Sequence, residues 1–217
     1  MAEYVGRPDA PQPAGRVVEL SREGKALRIL KGAHYPMGVA VRSGKVYVAS
    51  SAVDWSGQVR GKPELLVYGP EGEEPLSRQP FPQTFGYPQT LLATEGRLFV
   101  ATTWGYVLLL DPGSLSLRSA FALPETLNPI RGMALGPDGF LYLTGSKDGD
   151  GRLVRVPLSA LLDVPEPQNL DRFAQVLAKG LPDPWGVDLV KGVLYLVTST
   201  DPKGTGPGGL YRLEAEG

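Results

Sequence analysis

Seven side chains in this sequence have the chemistry of a recognition surface: Tyr35, Trp55, Tyr87, Trp104 and Trp185 offer rings, Gln89 an amide and Arg131 a guanidinium. Aromatic faces take up sugars, peptides and apolar groups, and an arginine adds charge-assisted hydrogen bonds to an anionic group. All three tryptophans of the chain belong to this set. The competing role for such rings is packing between sheets, where they serve the core and no ligand.

Residues for covalent or metal chemistry are scarce. His34 is the only histidine and there is no cysteine, which excludes thiol nucleophiles, disulfides and multi-histidine zinc sites. A Ser-His-Asp triad would have to be built around His34 alone. Asp148-Gly149-Asp150-Gly151 resembles the start of an oxygen-ligand loop. No glutamate follows at the spacing that would complete an EF-hand, and Asp-Gly pairs are common turn formers. The sequence therefore favours no cofactor and no catalytic residue, with calcium at Asp148 and Asp150 as the alternative.

The elements that must position these residues come from a repeat. Residues 36–50 read PMGVAVRSGKVYVAS, 88–102 PQTLLATEGRLFVAT, 129–143 PIRGMALGPDGFLYL and 184–198 PWGVDLVKGVLYLVT. Each copy holds two runs of about five apolar residues around an x-Gly joint, with an aromatic three residues after that glycine: Tyr47, Phe99, Tyr142 and Tyr195. Such runs are too short for stable helices, and the glycine takes the positive φ of a tight turn, so each copy reads as a β-hairpin. A third strand follows each hairpin, at 65–68, 106–110, 153–156 and 210–213. A fourth is expected at 115–122, near 76–81 and at 173–178. The last of these also fits one face of a short helix, and 159–163 fits a helical turn.

Four antiparallel strands in each of four units, spaced 52, 41 and 55 residues apart, make an all-β chain built as a β-propeller. The pattern P-x-G-φ-A-φ followed by G-x-φ-Y-V (φ, an apolar residue) resembles the repeat of NHL-type propellers and of the gluconolactonase and strictosidine-synthase-like superfamily. The likeness spans about 15–213, with 1–14 an extended segment ahead of the domain. Two arrangements compete. In the favoured one, four full blades close a small ring, and an N-terminal hairpin at 16–20 and 26–30 pairs at the seam. In the other, the chain is part of a larger ring or shares one with other chains.

In a propeller the loops leading into the inner strands share a rim with those joining second to third strands, and loops on a rigid scaffold carry function. The seven side chains above all fall in these loops or at the start of inner strands. Lactonases of the superfamily hold a divalent cation with Glu, Asn and Asp converging on the axis. Here the corresponding inner-strand starts hold Met37, Gln89, Ile130-Arg131 and Trp185. A cation would need Asn128, Asp183 or Asp188, with Asp54 or Asp201, to converge.

The expectation is a non-enzymatic binding or interaction module that takes a small molecule, a glycan or a peptide or protein on its aromatic rim. A metal-dependent hydrolase of lactonase or esterase type is the alternative, and a quinone-dependent sugar dehydrogenase the third. With 22 basic and 23 acidic residues and no basic run, nucleic acid is a poor partner. No apolar stretch approaches the roughly 20 residues of a membrane-spanning helix. Two Asn, no Cys and 21 Pro lean towards a thermophilic source. Nothing separates a cytoplasmic chain from an exported one whose signal has been removed.

Overall fold

The structure, a computed structural model, describes residues 2–3, 15–54, 57–200 and 207–214. Trp55, Asp201 and most of the segment at 1–14 lie outside these residues. The N-terminal sheet is β1 (Ala2–Glu3), β2 (Arg16–Leu20) and β3 (Ala26–Leu30). The first blade is β4 (Pro36–Arg42), β5 (Lys45–Ser50), β6 (Glu64–Tyr68) and β7 (Ser77–Pro80). The second is β8 (Pro88–Thr94), β9 (Arg97–Thr102), β10 (Tyr106–Leu110) and β11 (Leu117–Ala122). Next come β12 (Ile130–Leu135), β13 (Phe140–Lys147) and β14 (Asp150–Pro157). A short strand β15 (Pro167–Asn169) then runs parallel to β11, and β16 (Gln175–Leu181) completes the third blade against β14. The fourth blade is β17 (Pro184–Val190), β18 (Val193–Thr198) and β19 (Leu210–Glu214). Four antiparallel blades with an added N-terminal sheet make this an all-β propeller fold.

The hairpin joints fall at the glycines of the repeat. Ser43 and Gly44 have φ of 50° and 74°, and Lys191 and Gly192 have 51° and 81°. Paired positive φ values are those of a type I′ turn, whose twist matches that of the flanking strands. The ambiguous segment at 173–178 resolves into a short helical turn at Asp171–Phe173 followed by β16. Leu170 is 3% exposed but Leu177 is 43% exposed, so one buried helical face could not have been kept. The expected turn near 159–163 lies at Leu158–Ala160.

The N-terminal hairpin packs against the first blade. β2 pairs with β1 and β3 in a sheet of its own. The physical reason is burial: Val17 and Leu30, paired across β2 and β3, join Val48, Leu66 and Tyr68 of the first blade in one core cluster. Tyr68 donates its hydroxyl to the Lys31 carbonyl at 2.6 Å, and burial pushes its pKa up to about 12.

The chain divides into two compact units, Met1–Val100 with Asp111–Leu115 and Ala101–Leu110 with Ser116–Gly217. In the first, the core lies between the N-terminal sheet and the first blade. In the second, Ala134, Tyr142 and Leu153 of the third blade pack with Leu194 of the fourth.

Candidate functional site

A bulge one residue ahead of the repeat glycine is the device that presents side chains. Ladder registers shift between Pro36 and Gly38, between Ile130 and Gly132, and between Pro184 and Gly186. Each shift leaves one residue over, and a bulged residue is turned out of the alternation of its strand. The three residues are Met37, Arg131 and Trp185. The glycine that follows lets neighbouring inner strands approach. A Cβ at Gly38 would lie 2.9 Å from the Gln89 carbonyl oxygen, and one at Gly132 would lie 2.6 Å from that of Trp185. Real Cβ atoms do not come that close to backbone, so only glycine serves there.

In the second unit two of these bulged residues meet. The Arg131 guanidinium lies over the Trp185 ring at 4.1 Å from its centroid, a cation–π stack. Asp183 holds both partners. It accepts a hydrogen bond from the Trp185 indole N–H at 2.8 Å and faces Arg131 Nη2 at 3.7 Å. The Ser199 hydroxyl donates to the same carboxylate oxygen as the indole. The Ser199 backbone N–H donates to the Asp183 carbonyl at 3.0 Å. Asp183 has φ of 46°, in the left-handed region that Asp enters more readily than most residues.

Burial is the largest single influence on Asp183 and opposes ionisation. The Ser199 hydroxyl, the Trp185 indole and the Arg131 charge together outweigh it and hold the carboxyl below its ordinary 3.8. Asp183 is thus an anchoring carboxylate. Two buried polar atoms at the Arg131 bulge have no partner among the described residues. Arg131 Nε is one. The other is the hydroxyl oxygen of Thr144, which is fully buried opposite Gly132. Both atoms lie inside the packing around Gly132, and the surface that the pair Arg131 and Trp185 offers is the outer face of the stack. Trp185 is 37% exposed and completes the surface.

The other predicted residues are distributed as follows. Trp104 is 56% exposed on the turn between β9 and β10. The Asn128 side chain packs against Gly105 of that turn, which brings the turn to the start of β12. Tyr35, Tyr87 and Gln89 belong to the first unit. Tyr35 is 5% exposed and offers little surface for stacking, whereas Tyr87 is half-buried. Gln89 is half-buried too, and its Oε1 has no partner among the described residues. Trp55 lies outside them.

Asp148 and Gly149 form the two-residue turn between β13 and β14, with φ of 51° and 81°. Asp150 accepts from Arg152 Nε and from the Gly180 N–H, each at 2.8 Å, and the Arg152 bond leads in holding its pKa below the ordinary value. The backbone N–H of His34 donates to the Ser50 hydroxyl oxygen at 2.8 Å. Among the described residues no group of three or more His, Asp or Glu is placed to hold a metal.

Ser199 and Thr144 escaped the sequence reading, and Asp183 entered it only as one of the carboxylates a cation would need. A signal for Ser199 was present: Ser51, Thr103, Ser146 and Ser199 each stand four residues after the repeat aromatic. In three copies that residue's N–H bonds the loop before the inner strand, at Tyr35, Pro129 and Asp183.

No family model matches the sequence, and no curated protein matches it. Solved structures do match. A chain of a nidogen/laminin complex is similar over 93% of this chain and 74% of its own length, at 16% identity and TM-score 0.60. A putative 6-phosphogluconolactonase from Bacteroides uniformis is similar over 100% of this chain and 64% of its own, at 16% identity and TM-score 0.60. The computationally designed protein Ika4 is similar over 85% of this chain and 95% of its own, at 10% identity and TM-score 0.51. The chain thus spans less than two thirds of the lactonase-like protein. At such identities the likeness shows the β-propeller fold alone.

Proposed function

We propose that this chain is a non-enzymatic β-propeller binding module, whose second unit recognises an anionic or oxygen-rich group on a small molecule, glycan or peptide. The observation that carries this reading is the Arg131–Trp185 stack, anchored by Asp183. The arginine supplies directed donors and the half-exposed indole supplies a stacking face. The repeat motif and the lactonase-like neighbour support kinship with NHL-type and gluconolactonase-like propellers.

The test is titration of the chain with a panel of anionic glycans and acidic peptides, followed by tryptophan fluorescence. A saturable shift is expected, weakened at least about tenfold in Arg131→Ala through loss of charge-assisted hydrogen bonds. Binding that is equally strong in Arg131→Ala would refute the site. Lactone turnover that requires a divalent metal would refute the non-enzymatic reading.

A further inference from the structure

A second feature, independent of Arg131, lies in the first unit. A cavity of about 350 Å³ opens between the N-terminal sheet and the first blade. Its inner walls are Val17 and Leu30 from β2 and β3 and Val39 and Val46 from β4 and β5. Packed sheets stand about 10 Å apart, a gap that needs large side chains to fill. Deeper between the same sheets Leu66 and Tyr68 do so, at 0% exposure. Towards the β4–β5 turn the facing residues are short valines, and Gly44 offers no side chain. The space left falls within the roughly 300–1,000 Å³ typical of small-molecule sites.

One wall is polar and balanced in charge. Glu19 and Arg28 line the cavity as an ion pair, and Arg28 also donates to the carbonyls of Gly72 at 2.6 Å and Gly69 at 3.1 Å. The guanidinium is neutralised and tethered, which leaves no unbalanced charge to attract an ion. A carboxylate and a guanidinium side by side instead present an acceptor next to donors, the complement of a hydroxyl or an amide. Apolar walls reward an aliphatic body by about 25 cal/mol per Å² removed from water.

We propose that this cavity is a binding site for an uncharged, chiefly aliphatic small molecule carrying one hydroxyl or amide group. The probe is N-phenylnaphthylamine, a neutral dye that brightens in apolar surroundings, titrated into the full chain and displaced by octanol or octanoate. Val41 and Leu20 stand at the mouth, 65% and 37% exposed, so Val41→Trp and Leu20→Trp obstruct the cavity with little disturbance of the core. Val197→Trp, at an exposed valine of the second unit, is the control, and circular dichroism verifies that each variant is folded.

The expected result is saturable single-site binding, weakened at least about tenfold in whichever mouth variants fold and unchanged in the control. Octanol should displace the dye at least about tenfold better than octanoate, whose charge would be desolvated beside Glu19. Absence of saturable binding, or equal binding by the mouth variants and the native chain, overturns the proposal. Equal competition by octanoate overturns the assignment to uncharged ligands.

Discussion

Asp183 ties together the Arg131–Trp185 stack of the second unit. Its folded pKa is depressed, so the stabilisation it contributes is complete above the ordinary carboxylate value of 3.8 and is lost as pH falls through the lower folded value. Asp183→Asn keeps the shape but weakens the bonds from Ser199, Trp185 and Arg131. With the Asp183 side chain 40% exposed, solvent screening limits the expected cost to about 1 kcal/mol at neutral pH. Chemical denaturation across pH should show the native chain more stable than the variant at neutrality and the two converging below the carboxylate range. A gap that stays constant with pH would show that the carboxylate's charge is not what stabilises. Arg131 and Trp185 were legible in the sequence because type and position in the repeat both pointed to them. Thr144 was not, since its role depends on a register shift at Arg131 that no local pattern announces.

Among the elements, the bulge before the repeat glycine explains how a scaffold repeat turns a side chain out at its edge. The glycine is a spacing requirement between inner strands. Gly132→Ala would force a Cβ to within 2.6 Å of the Trp185 carbonyl oxygen and 2.5 Å of the Thr144 hydroxyl oxygen. Overpacking of this kind costs about 1–3 kcal/mol. The variant should therefore melt lower than the native chain and show altered Trp185 emission, whereas unchanged melting and emission would mean that the strands separate freely. The Asp148-Gly149 turn makes a different prediction. Its paired positive φ values and the Asp150–Arg152 bond already account for this stretch, so added calcium should leave the melting temperature unchanged, and a rise of several degrees would reveal a cation site. The hairpins were legible because each combines a glycine joint with two apolar runs. The pairing of β15 with β11 was not, since three residues beginning with proline carry no strand signal. The N-terminal hairpin was legible as strands, but its packing on the first blade was not, because alternation within a strand does not reveal which sheet will cover it.

At the scale of the whole molecule, architecture was the most legible property and activity the least. Four copies of a hairpin sufficed for the fold class, and propellers as unlike as a designed protein and a lactonase-like one share it at 10% and 16% identity. A scaffold so widely reused leaves function to the residues at its edges. The central claim is that Arg131 and Trp185 form a ligand site. The most direct measurement is the indole N–H resonance of Trp185, assigned by its loss in Trp185→Phe and followed while anionic glycans and acidic peptides are added. A ligand that binds should move this resonance saturably, and Arg131→Ala should abolish the movement. Saturable binding that leaves the Trp185 resonance in place would contradict the account.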